Sequence, residues 1–258
     1  MNPTRVVMLG TGTSHGIPMI ACHCPVCSSP DPRDRRTRSS ILVEVGGRSI
    51  LIDTTPELRL QCLANSVRRV DAVLYTHHHA DHVIGLDDLR RFNALQNGSL
   101  TCYGNEHTLS VLRRMFPYAF HHNPDYPSAK PQLDQQAIEG PFEVLGVPVT
   151  PVPLLHGQLP VLGFRFGRFA YCTDVSCIPN DSRVMLEGLD ILVLDGLRRR
   201  PHPTHFNLEQ AVEAARLIGA KQTWFTHIAH ELMHESTNAD LPPGMALAHD
   251  EQVIQFTV

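Results

Sequence analysis

The sequence predicts a mixed α/β fold whose strands deliver polar ligands to one edge of the molecule. Three observations lead there. Short apolar runs alternate with stretches of helical spacing along the chain, the pattern of strands interleaved with helices. One such run, residues 72–75, leads straight into His77-His78-His79-Ala80-Asp81-His82. The same chemistry recurs where other apolar runs stop, at Asp53, His156, Asp174, Asp195 and His227. A single histidine in that position is usually a satisfied core residue; several in the same context describe a metal site on a rigid scaffold.

Composition sets the bounds. The 258 residues fit one large domain, taken here as 1–258, with 42% hydrophobic and 19% charged residues, as in a soluble globular chain. A formal net charge of −4 leaves no global basic field to recruit nucleic acid. The arginines of 33–38 and 198–200 are local and read as solvated loop charge ahead of phosphate binding. The N-terminal residues lack the apolar segment of a signal peptide, and no run approaches the ~18 residues of a membrane span. A cytoplasmic enzyme with no membrane partner is expected. Histidine is the anomaly, with 16 clustered residues, and three of the seven cysteines stand within six positions. That pattern suits thiolate metal binding in a reducing compartment better than a disulfide framework.

Taken in order, residues 5–9 read as a buried strand, followed by the glycine-rich loop 10–16, which permits close backbone approach to an anionic group. His15 reads as a polar loop residue. Cys22, Cys24 and Cys27 have C-x-C-x-x-C spacing, which converges on one tetrahedral zinc and leaves the fourth ligand to come from elsewhere. Residues 40–45 and 48–52 form a hairpin around Gly46-Gly47, and Asp53 at its end caps the strand or orients a histidine ligand. A helix over 56–65 takes Thr54 or Thr55 as N-cap, with Cys62 in the core. In the central motif, His77 and His79 point the same way in extended chain, while His78 points away. Asp81 and His82 follow from a second direction, so the motif reads as halves of two adjacent metal sites.

Beyond it, helices are expected over 86–95 and 106–116 with a strand over 99–103 between them. Residues 117–132, with four prolines, Tyr118, His121, His122 and Tyr126, read as a long loop or lid. Paired strands over 138–152 turn at Gly146, and a strand over 149–155 ends in His156. A hairpin of 161–166 and 168–172 leads to Asp174, a helix covers 179–187, and a strand over 190–194 closes on Asp195. His202 and His205 lie in a proline-rich loop, and Asn207 caps a helix running to Gly219. A strand over 222–226 precedes His227-Ile-Ala-His230, a helix covers 231–238, and a strand over 253–258 ends the chain.

This set of residues resembles the metallo-β-lactamase superfamily. The signature H-x-H-x-D-H stands as His77, His79, Asp81 and His82, with His156, Asp174 and His227 following in the family's order. The resemblance implies a four-layer αβ/βα sandwich of two mixed β-sheets. Gly10-Thr-Gly-Thr-Ser-x-Gly-x-Pro, the three cysteines and Thr226-His227-Ile-Ala-His230 resemble the phosphodiesterases of the carbon–phosphorus lyase pathway, which open phosphoribosyl 1,2-cyclic phosphate. His78 departs from that pattern, where the family carries an aromatic residue, and 117–132 finds no match in it. By carry-over, His77, His79 and His156 hold one divalent metal. Asp81, His82 and His227 hold the second, and Asp174 bridges them. Cys22, Cys24, Cys27 and His230 hold a structural Zn²⁺. Asp81 and His205 are the implied catalytic residues, His205 protonating the leaving oxygen after attack by a metal-bridging hydroxide. The oxygen and nitrogen ligands suit Mn²⁺ or Zn²⁺. The implied activity is hydrolysis of a small cyclic phosphodiester, with a homodimer as the prior for a soluble enzyme. The alternatives are an RNA 3′-processing phosphodiesterase, a thioester hydrolase of the same fold, and a non-catalytic metal-binding scaffold.

Overall fold

A computed structural model describes residues 4–121 and 128–256 of the chain. Its strands form two seven-stranded mixed sheets. The first sheet contains β1 (Arg5–Gly10), β2 (Ser40–Val45), β3 (Arg48–Ile52), β4 (Ala72–Leu74), β5 (Leu100–Gly104), β6 (Leu133–Ala137) and the late strand β14 (Val253–Gln255), in the order β14-β1-β2-β3-β4-β5-β6. The second contains β7 (Phe142–Val144), β8 (Val147–His156), β9 (Leu159–Phe166), β10 (Phe169–Cys172), β11 (Ile191–Asp195), β12 (Gln222–Thr226) and β13 (Met245–Leu247), in the order β13-β12-β11-β10-β9-β8-β7.

Each sheet is half antiparallel and half parallel. Strands β3 to β6 pair in parallel in the first sheet, as do β10 to β13 in the second. Parallel strands need crossovers, and the helices supply them. Three apolar clusters define four layers. One lies between the sheets and contains Val6, Ile41, Ile52, Phe164, Phe169 and Tyr171. Another lies under α1 (Leu58–Ala64), α3 (Arg90–Gln96) and α4 (Glu106–Met115), centred on Leu51, Val73, Leu86 and Leu109. The last lies under α7 (Leu208–Ile218), with Ala211, Ala215 and Leu194. This is the αβ/βα sandwich that the resemblance implies.

The hairpin and the capped helix stand where the sequence puts them. Asn207 accepts from Gln210 N, and the Gln210 side chain accepts in return from Asn207 N, closing a capping box. Several expectations need correction. Glu57, not Thr54 or Thr55, is the N-cap residue of α1 and makes no side-chain cap bond. The two threonines are drawn inward instead, Thr54 Oγ1 to Tyr75 Oη and Thr55 Oγ1 to Gln61 Oε1. Strand β6 sits at a sheet edge, so Leu133-Asp-Gln-Gln-Ala137 has Leu133 as its only buried residue and carries no strand signature. Residues 138–141 are not strand, and α8 (His234–Asp240) begins three positions later than expected. The region 117–132 opens with α5 (Pro117–Phe120), and His121 is exposed. Its central residues 122–127, His122 and Tyr126 included, lie outside the described residues, as do 257–258.

Two loop readings also change. In the glycine-rich loop, a Cβ on Gly12 would stand 2.8 Å from the Arg36 carbonyl oxygen. The glycines admit the protein's own backbone at 36–38, with Gly12 N donating to Thr37 O at 2.7 Å. Arg36 is buried rather than solvated. Its Nη1 donates to Thr11 Oγ1 and to the Ala248 carbonyl, and its Nη2 lies 3.1 Å from His234 Nδ1. Among the described residues, no helix is long and apolar enough to cross a membrane.

Candidate metal centre

Parallel register builds the site. Cys172 pairs with Leu194 and Asp195 pairs with Thr226, so β10, β11 and β12 end level with one another. In the first sheet, Ile52 pairs with Leu74, so Asp53 stands beside the start of the histidine motif. Polar residues just past these strand ends therefore meet at one edge, where open α/β sheets carry their ligands. Asp53, Asp174 and His227 have φ of 64°, 57° and 58°. A left-handed residue costs roughly 1–2 kcal/mol when it is not glycine, and each of these turns its side chain inward at the strand's end.

Histidine and carboxylate donors converge in overlapping groups, each with its donor atoms within 4.8 Å of one another: His77, His79 and His156; Asp81, His82 and His227; His77, His82 and Asp174. Asp174 stands between the first two groups. Its Oδ1 lies 3.8 Å from His77 Nε2 and 3.4 Å from His227 Nε2, and its Oδ2 lies 3.3 Å from His82 Nε2. Helix α2 (Ala80–Val83) brings Asp81 and His82 in from their own direction, with Asp81 Oδ2 3.7 Å from His227 Nε2. His78 stays outside, its ring 4.9 Å from that of His107.

The outer nitrogens of His77, His82 and His156 are occupied, while both ring nitrogens of His227 are buried without a hydrogen-bond partner. His82 Nδ1 donates to Asp53 Oδ2 at 2.7 Å. His77 Nδ1 donates to Thr76 Oγ1 at 3.0 Å, and that hydroxyl donates on to Asp53 Oδ2 at 2.8 Å. His156 Nδ1 donates to the Thr204 carbonyl at 2.6 Å. The Nε2 atoms of His77, His82 and His227 are buried and have no hydrogen-bond partner. Buried polar groups are otherwise almost always paired, so these bare nitrogens, turned toward Asp81 and Asp174, fit divalent cations. Electrostatics agree. Burial works against charge on His82, but Asp174, Asp81 and Asp53 outweigh it and hold the imidazole well above its ordinary range. Burial also opposes ionisation of Asp174, yet His227, His82 and His77 keep its carboxyl well below the usual range.

His205 stands at the rim. Its Nδ1 donates to Asp195 Oδ2 at 2.8 Å, and its ring stacks on His227 with centroids 4.6 Å apart and lies 4.4 Å from His156. Burial alone would lower its pKa; Asp195 raises it to about 9. Asp195 Oδ2 also accepts from Val175 N, which fixes the carboxylate.

A second cluster lies apart. Cys22, Cys24, Cys27 and His230 place one donor atom each within 4.8 Å. His230 Nδ1 is 3.3 Å from the sulfurs of Cys22 and Cys24 and 3.8 Å from that of Cys27. Met19 N donates to Cys27 Sγ and Cys27 N to Cys24 Sγ, both at 3.4 Å. Burial opposes ionisation of both sulfurs; the Cys27 N–H helps bring Cys24 down to about 6, while burial and the neighbouring Cys22 and Cys24 push Cys27 up to about 11, so a bound cation would be needed to hold all three as thiolates. His23, between two of the cysteines, is exposed.

Every expected ligand thus lies with its expected group. Sequence reading missed the carbonyl of Thr204 and the hydroxyl of Thr76, because common residues carry no motif. It also missed the cavity beside His205, which His15 and Arg198 help to line.

Comparison with known proteins adds to this geometry. A family model described as a beta-lactamase superfamily domain matches residues 48–228. An octanoyltransferase of Porphyromonas gingivalis is 37% identical over 249 residues, 95% of this chain and 50% of the relative. The chain therefore spans about half the length of that relative. A crystal structure described as a new diphosphatase from the PhnP family superposes with a TM-score of 0.92 at 45% identity, covering 99% of this chain and 98% of the other. Zn²⁺-bound PqqB from Methylobacterium extorquens shares the fold, with a TM-score of 0.79 at 23% identity over 98% of this chain and 100% of the other.

Proposed function

This chain belongs to the beta-lactamase superfamily as a metal-dependent hydrolase, and from that premise we propose that it is a phosphodiesterase acting on a small, cyclic phosphodiester. Phosphoribosyl 1,2-cyclic phosphate is the substrate that the family resemblance names. The observation that carries this reading is the His205 imidazole, whose Nδ1 is held by Asp195 at the rim of the histidine and carboxylate cluster, a pairing that favours its protonated form. A phosphodiester needs a proton for its departing alkoxide, and that imidazole stands ready to give one. The likeness to a PhnP-family diphosphatase across nearly the whole of both chains supports phosphoryl chemistry.

In this proposal His77, His79 and His156 would hold one cation and Asp81, His82 and His227 the other, with Asp174 lying within reach of both groups. Either Mn²⁺ or Zn²⁺ suits these donors. When bound, two such cations acidify a water and neutralise charge on the phosphoryl oxygens. The rest falls to the chain. Asp53 and Thr204 lock the ring orientations, so that no reorganisation is needed when substrate arrives. Burial of the cluster limits water and strengthens each electrostatic contact. His205 donates its Nε2 proton to the leaving oxygen and Asp195 balances the charge. The Cys22, Cys24, Cys27 and His230 group would hold a structural Zn²⁺ that stabilises the loop beside the site.

The test is a panel of substrates with the metal-reconstituted protein: bis(p-nitrophenyl) phosphate, ribosyl cyclic phosphates, precursor tRNA and a thioester. Hydrolysis of the small diesters at kcat/KM at least about 100-fold above the RNA and the thioester is expected. Preference for precursor tRNA or the thioester would replace this reading, and inertness toward all four with metal bound would make the protein a scaffold.

A further inference from the structure

We propose that the cleft between α6 (Asn180–Val184) and α7 is a second binding site, for an amphipathic monoanion: a carboxylic acid with an unbranched hydrocarbon chain of medium length. The proposal does not depend on which diester is hydrolysed. A cavity of about 330 Å³ opens there, within the roughly 300–1,000 Å³ of small-molecule pockets. Phe206 forms part of its wall, while its neighbour His205 turns the other way, onto His156 and His227. None of the proposed metal ligands lines the cleft, so it is distinct from the metal centre. It adjoins the centre only through the segment that carries His205.

The cleft is apolar and preformed. Ile178, Phe206, Ala214, Leu217 and Ile218 line it, and all but Leu217 belong to the apolar cluster under α7. Phe206 N donates to Val175 O at 2.6 Å and Cys177 N to Leu155 O at 3.2 Å, which holds the two loop walls in place. Leu217 is 59% exposed, so a hydrocarbon chain laid along α7 removes from water apolar surface that the fold itself leaves wet. Charge decides the head group. Arg183 stands in the wall, and among the described residues its guanidinium has neither an ion pair nor a hydrogen bond. An unpaired guanidinium beside apolar surface matches a carboxylate, which it can take through two parallel N–H donors. Glu213, also in the wall, has only a distant partner, Arg216 Nη1 at 3.8 Å. Its carboxylate repels a second negative charge, so a single carboxylate fits better than a dicarboxylate or a phosphomonoester.

Cys177 lines the same cleft and is the one exposed cysteine of the chain, so its reactivity reports occupancy without requiring turnover. The metal-reconstituted protein is alkylated with N-ethylmaleimide in the presence of nonanoate, nonanol or acetate, and the rate at Cys177 is read by peptide mass spectrometry. Nonanoate should slow the reaction saturably, at concentrations at least about 10-fold below those of nonanol, as a charge-assisted pair gives. Acetate, which has the charge but no chain, should leave the rate unchanged. Arg183→Gln should erase the difference between nonanoate and nonanol, and Ala214→Phe, which fills the cleft, should abolish protection by both. No protection by nonanoate, or equal protection by nonanol, would overturn the site. A preference for nonanoate that survives Arg183→Gln would also overturn it, since the carboxylate would then be held elsewhere, as on the metals. Protection that survives in a folded Ala214→Phe would do the same. If that variant is unstable, Arg183→Gln, which breaks no internal contact, decides.

Discussion

At the scale of single residues, the centre depends on which nitrogen of each ring is free. Histidine can present either one, and the choice is made by what holds the other. Here Asp53 holds His82, Thr76 holds His77, and the Thr204 carbonyl holds His156. Asp53→Asn keeps an acceptor but removes its charge, and metal affinity should drop about 10–100-fold by chelator competition; unchanged retention would leave Asp53 with only a packing role. Asp174→Ala should lose both metal and activity, and elemental analysis finding two active-site ions in it would contradict a shared ligand. His205→Ala should keep its metals while turnover falls about 10²–10⁴-fold. Equal rates in that variant would remove His205 from the chemistry.

At the scale of elements, the site is a property of strand ends. β3, β10 and β12 stop in parallel or hairpin register, and the residue at or just past each end adopts a left-handed conformation that swings a ligand or its support inward. The loop that carries His205 is held from its far side by α7. Asn207, two residues after His205, closes the helix with its capping box. Asn207→Ala should cost about 1 kcal/mol in denaturant unfolding. Because Leu208 N and Phe206 N also anchor that loop, to Arg198 O and Val175 O, turnover should fall further than ground-state binding does. A variant with wild-type stability and rate would show that the cap has no part in holding the loop.

At the scale of the whole molecule, the first and last parts of the chain are sewn together around a buried charge. Asp250 accepts from the backbone and hydroxyls of both Thr11 and Thr37, and Arg36 lies beneath, against His234. Burial and the neighbouring Arg36 and Arg33 cations push His234 down to about 4 from 6.5. The unfolded chain therefore binds more protons than the folded one between those values, so stability rises with pH across that window. It is fully present above about pH 6.5 and is lost as the pH falls toward 4. His234→Gln should flatten this part of the melting-temperature profile relative to the wild type; parallel profiles would show that His234 does not titrate on unfolding.

What the sequence determines by itself is local. Ligand identity was legible because chelation needs particular atoms, and all seven proposed active-site ligands follow apolar runs or sit in one short motif. The hairpin around Gly46 and the cap at Asn207 were legible for the same reason, since turn and cap chemistry act within a few residues. Edge strands such as β6 and β13 were not, because their pairing is supplied by a neighbour distant in sequence and not by their own side chains. Only the tertiary structure decided that Arg36 is buried, that the glycine-rich loop is filled by the chain's own backbone, and that Asp53 faces His82 across 29 residues. Only it could place Arg198 and Arg200 beside His205. Long-range convergence is set by sheet register and by packing of the three cores, which spread over many weak contacts and leave no signature at any single position.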